Sequence, residues 1–172
     1  MSPAAGEPAV GLAPGLARRM ACFVYEGMLL FGIGLIPGAL GAVFMAVSGS
    51  RPSSTSDAVL RVLAFAIFGA YFVYFWSRRG QTLPMQTWHI RLVGPDGKPP
   101  GRGRSVARFF AACLWFAPAS LVAVANGWTR WQSLAAVAVG IAAWALLALL
   151  HPQRQFWHDA ICRTRLVRVA AT

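Results

Sequence analysis

Only one formal charge lies in the apolar stretch from Met20 to Val47, the carboxylate of Glu26. A charge in hydrocarbon costs several kcal/mol, so an intramembrane acid is a functional candidate that needs a partner. The nearest cation is Arg19. Seven residues make two helical turns, which puts both on one helix face about 10 Å apart at ~1.5 Å per residue. Direct contact at that spacing needs a bend or a water. The pair reads as an ion or proton site, or a polar joint between helices, just inside the cytoplasmic boundary; the plainer alternative is an acid that snorkels to the interface.

A second pair, His158 and Asp159, lies in the tail. Imidazole titrates close to physiological pH, so the two side chains could pass protons or hold Arg19 or Arg108 in place. The structural alternative is favoured by the many arginines nearby: Asp159 pins the tail through one of them. Gln81 and Thr82 follow Arg78, Arg79 and Gly80, where GQTL makes either a small anion-binding turn or helix N-terminus or, more commonly, boundary punctuation. His151, His158 and Asp159 are the only candidate metal set. Pro152 interrupts it and no HExxH or CxxC spacing occurs, so neither a metal nor another cofactor is expected. The chain also carries no GxSxG, P-loop or GxGxxG motif and no paired carboxylates, so an enzyme is not expected.

These residues must be held by membrane helices. The chain has 172 residues, is 57% hydrophobic and 12% charged, and has a formal net charge of +11, which describes a small polytopic membrane protein rather than a soluble domain. A span needs about 20 apolar residues, and four segments qualify: 20–47, 58–77, 109–125 and 133–150. The first is long and holds Gly32, Gly34, Pro37, Gly38 and Gly41, so it should tilt, kink or break. The last two are short and close together, so a single re-entrant hairpin is the alternative. Gly34 with Gly38, and Gly38 with Ala42, stand four apart, which suits close helix packing.

Thirteen of the 16 basic residues fall at Arg18 and Arg19, in the loop 78–108, or in the tail 151–172, leaving Arg51, Arg61 and Arg130 for the other side. The positive-inside rule places both termini and that loop in the cytoplasm. Tyr71, Tyr74 and Trp76 on one side, and Trp128 and Trp131 on the other, are expected in the interfacial belts. Since the membrane accounts for the basic excess, no nucleic-acid partner is expected; the lipid bilayer is the expected partner, with a homo-oligomer or another membrane protein as the alternatives. Residues 1–17, rich in Ala, Gly and Pro, read as disordered, and Cys22, Cys113 and Cys162 as free thiols.

Within the loop, residues 87–93 (TWHIRLV) read as a short strand followed by turn chemistry at Gly94, Pro95, Asp96 and Gly97, with a helix resuming from Ser105. The tail echoes this pattern: residues 80–93 and 154–167 match at Gln81 with Gln155 and at Arg91, Leu92 and Val93 with Arg165, Leu166 and Val167. Each copy follows two apolar spans headed by an arginine, Arg19 or Arg108. Either this is chance, or the chain is a parallel duplication about an axis along the membrane normal, with two strands that pair beneath the membrane.

The stretches ARRMACFVYE, GQTL, RLVGPDGKPP and FWHDAICRTRLV, in this order and in these places relative to the spans, resemble the RDD family of small bacterial membrane proteins over approximately residues 18–169. That family is named for an arginine and two aspartates. The resemblance implies that Arg19 is the family arginine, that Glu26 stands where the first aspartate does, and that Asp159 is the second. Glu26 keeps the carboxylate but adds a methylene, which changes its reach. The expected fold is an all-α membrane protein of about four helices in two hairpins, with a short cytoplasmic β segment shared by loop and tail. Two functions are then open: carriage of an ion or small solute with Glu26 as the intramembrane acid, or a non-transporting scaffold in which Arg19, Glu26 and Asp159 form a structural network.

Overall fold

The computed structural model describes residues 13–49, 54–150 and 155–169. The element order is α1 (Leu16–Ser48), α2 (Ser54–Arg79), α3 (Leu83–Thr87), β1 (Ile90–Val93), α4 (Arg102–Ala112), a 3-10 turn (Cys113–Trp115), α5 (Ala117–Ala125), α6 (Arg130–Leu147), α7 (Trp157–Ile161) and β2 (Arg165–Arg168).

Among the described residues, three helices are long and apolar enough to cross a membrane: Leu16–Ser48, Ala58–Arg79 and Arg130–Leu147. A fourth candidate is a broken pair, Arg102–Trp115 with Ala117–Ala125, bent by 45°. The bend falls where Pro118 enters the first turn of α5. Proline has no N–H to continue the ladder and its ring crowds the preceding turn, so the chain passes through a 3-10 turn and restarts.

Of the tilt, kink or break expected in the first span, no break is seen. α1 runs for 33 residues as one helix through its glycines, and starts at Leu16, inside the segment expected to be disordered. Residues 1–12 lie outside the described residues. The glycine spacing serves close packing only once: a Cβ at Gly34 would touch the Phe68 ring at 3.8 Å, whereas one at Gly38 would meet nothing within 4 Å. α6 begins at Arg130, three residues before the expected span, because Thr129 and Gln132 form a reciprocal capping box.

Side chains along the long helices, such as Phe31, Val47 and Val139, are exposed, as they must be where lipid is the solvent. The packed core sits instead at one end, around the two strands. It is built from Cys22, Trp76, Met85, Ile90, Leu92, Trp115, Ala148, Phe156 and Leu166. Trp76 was expected in an interfacial belt and is buried here. The strands pair antiparallel with Leu92 opposite Leu166, and each of these leucines, fully or nearly fully buried, stabilises the fold by about 1.5–3 kcal/mol.

The echo between loop and tail extends to the backbone. α3 and α7 are five residues each and start at Leu83 and Trp157, 74 positions apart. His89 and Arg163, also 74 apart, are the two non-glycine residues with positive φ, at 53° and 50°, among the described residues. Gln81 donates from Nε2 to the Ile90 carbonyl at 2.7 Å, and Gln155 donates from Nε2 to the Leu166 carbonyl at 3.1 Å. In each copy a glutamine amide ties the start of a short helix to the following strand, a left-handed residue reverses the chain, and the strand meets its counterpart at a shared leucine pair. β1 is shorter than expected because Thr82 caps α3 and Pro84 lies in its first turn, which draws Thr87 into a helix.

Candidate functional site

Glu26 lies on α1 opposite the end of α2 and the start of α3, and is nearly buried. Its partners are hydroxyls. Tyr71 donates to Oε1 at 2.8 Å and Thr82 donates to Oε2 at 2.6 Å. Thr82 is fully buried and also caps α3, its Oγ1 accepting the Met85 N–H. Among the described residues no cation comes within ion-pair distance of Glu26. Arg19 was its nearest cation along the chain, but the Arg19 guanidinium stacks over the Phe156 ring at 4.4 Å from the centroid. The seven-residue spacing keeps the two side chains on separate partners. Tyr71 was assigned to an interfacial belt, and nothing in the spacing of residues 26 and 71 signals this contact.

Asp159 is fully buried and bound to Arg108. Arg108 donates from Nε to Oδ1 at 2.7 Å, its Nη2 is 2.7 Å from the same oxygen, and its guanidinium lies 4.2 Å over the Trp76 ring. A buried charge paired in this way is held by charge-assisted hydrogen bonds and a ring face together. Asp159 therefore pins the tail through Arg108, as the structural alternative expected. Asp159 Oδ2 and Arg19 Nε and Nη1 are buried with no hydrogen-bond partner among the described residues.

His158 is buried beside this pair. Trp115 donates its indole N–H to Nδ1 at 2.9 Å, and Nε2 is 3.4 Å from Asp159 Oδ1. An Nδ1 that accepts places the proton on Nε2, facing the carboxylate. Burial, with Arg108 and Arg19 adding to it against the pull of Asp159, pushes the imidazole down to about 4. It is neutral at physiological pH, so the proton-passing role considered for His158 does not fit its surroundings. Trp115 stands seven residues after Arg108, as Glu26 stands seven after Arg19; that shared interval was the one available signal for it.

Gln81 and Thr82 serve the framework. Gly80 ends α2 with φ 69°, and a Cβ there would lie 2.5 Å from the Leu92 carbonyl oxygen, so only glycine fits where α2 turns into the sheet. The metal set fares no better: His151 lies outside the described residues, and no group of three or more His, Cys, Asp or Glu among the described residues is placed to hold a metal ion. Cys22, Cys113 and Cys162 are free thiols.

Apolar helices of spanning length, a core confined to one end and a buried acid on the longest helix define a multi-pass membrane protein. The RDD family model matches residues 13–163, most of the chain, and the protein belongs to the RDD family. Comparison with curated proteins gives no match, and comparison with solved structures gives none either.

Proposed function

We propose that this RDD-family protein is a non-enzymatic carrier of a proton or small cation in the bacterial inner membrane, with Glu26 as the group that loads and unloads. The observation that carries this reading is the Glu26 environment: hydroxyl donors from α2 and from the cap of α3 and, among the described residues, no arginine within ion-pair distance. Hydroxyls both donate and accept, so Tyr71 and Thr82 can serve the carboxylate, the protonated acid, or a carboxylate that shares a cation with them. Asp159 has no such freedom, since Arg108 already neutralises it.

The reading takes α1, α2, the bent pair and α6 as four spans with loop, tail and both termini in the cytoplasm. A path enclosed by four spans needs a second copy or another membrane protein. The scaffold or accessory-subunit reading is favoured by a different observation, the buried Arg108–Asp159 pair, which ties α4 to the tail.

Cation-stimulated proton movement in everted membrane vesicles tests the carrier, comparing the native chain with Glu26→Gln at equal abundance. A flux from the native chain that falls at least tenfold in the variant is expected. No flux from the native chain across sodium, potassium, lithium and calcium, or an undiminished flux in Glu26→Gln, overturns the carrier reading and favours an accessory subunit.

A further inference from the structure

The two copies found in the backbone differ in how their arginines are satisfied. Arg108 heads the first apolar segment of the second copy, stacks on Trp76 of the first, and bonds the carboxylate of Asp159. Arg19 heads the first apolar segment of the first copy and stacks on Phe156 of the second. The copies thus exchange arginines. The position matching Asp159 in the first copy is Met85, which offers Arg19 no charge. Arg19 is left with half of what Arg108 has, a ring face without a carboxylate.

Buried guanidinium N–H groups and carboxylate oxygens are rarely left unbonded, and each exception asks for an explanation. Here the two exceptions are complementary. Among the described residues, Arg19 Nε and Nη1 lack acceptors and Asp159 Oδ2 lacks a donor, and Asp159 is near enough for its charge to act on Arg19. Asp159 Oδ1 is taken by Arg108, so its second oxygen is the free half of a carboxylate that two arginines can share. From this geometry we infer a two-state latch between the repeats: Arg19 moves between the Phe156 ring and Oδ2 of Asp159.

In the open state, the one described above, Arg19 meets the tail through a ring face and not through an ion pair. In the closed state Arg19 and Arg108 grip Asp159 from both sides and join the heads of α1 and α4 to α7. His158 stays neutral beside them and adds no charge to the cluster. The latch is a property of the fold and stands whether or not the protein carries a cargo.

The test is fluorine NMR of the full chain in lipid nanodiscs, with 4-fluorophenylalanine at Phe156. Two resonances are expected, or one temperature-dependent line between the limits set by two variants. Asp159→Asn should leave only the line of the stacked ring, and Arg19→Gln only that of the unstacked ring. One temperature-independent line that Arg19→Gln shifts and Asp159→Asn does not would fix Arg19 on the ring and overturn the latch. Should Asp159→Asn fail to fold, the native spectrum decides: a single line unchanged with temperature overturns the proposal, and two exchanging lines support it when Arg19→Gln removes one.

Discussion

Thr82 joins Glu26 at 2.6 Å across 56 residues of chain while its own oxygen accepts the Met85 N–H that opens α3. One hydroxyl therefore couples the acid on α1 to the short helix that leads into the sheet. Any change in the charge of Glu26 is felt first at the cap of α3.

Removing either hydroxyl should be costly. Thr82→Val and Tyr71→Phe each leave one Glu26 oxygen without its donor, for which roughly 1–3 kcal/mol is the usual cost. Thr82→Ser should restore most of the loss. Glu26→Asp is one methylene short, so it should lose at least one of the two bonds. Thermal unfolding in detergent ranks the four; an unshifted midpoint for Thr82→Val would contradict the contact.

The Arg108 and Asp159 pair should behave as a unit. Arg108→Gln or Asp159→Asn alone leaves an uncompensated buried charge, at about 3–5 kcal/mol. The double variant should lose clearly less than the two single losses together. Additive losses in a double-mutant cycle would mean that the two side chains do not act on each other.

His158 gives the fold a dependence on acid. Its folded value of about 4 lies below the ordinary imidazole value near 6.5, so the unfolded chain binds the extra proton between those limits. Its contribution is fully present above pH ~6.5, declines as pH falls, and is lost below about 4. The groups facing it are Asp159, Arg108 and Arg19. Chemical unfolding of the native chain and of His158→Gln from pH 7.5 to 4 checks this: the difference between the two should shrink as pH falls.

Much of the architecture is legible in the residues because it depends on hydropathy and charge. The apolar runs announce α1, α2 and α6, and the Arg91-Leu92-Val93 and Arg165-Leu166-Val167 echo announces the two strands that pair. Chain-distant contacts are not legible. Trp76 looks like an interfacial tryptophan, and only the approach of α4 to α2 makes it a platform for Arg108. Positive φ at Arg163 is invisible too, since arginine does not advertise it, and the enrichment of histidine in that region is too weak a signal to single out His89. Local chemistry was present but outweighed by hydropathy at Thr129, whose capping box with Gln132 starts α6 ahead of its apolar run.

The unequal helix lengths bear on the surrounding lipid. α1 has 33 residues and α6 has 18, or roughly 50 Å against 27 Å at ~1.5 Å per residue. A hydrocarbon core of about 30 Å is overshot by the first and slightly undershot by the second. The bilayer meets one long helix that must tilt or protrude and one short helix that draws the leaflets together. Mismatch of opposite sign around one small protein turns membrane thickness into a force on the angle between α1 and the rest of the chain.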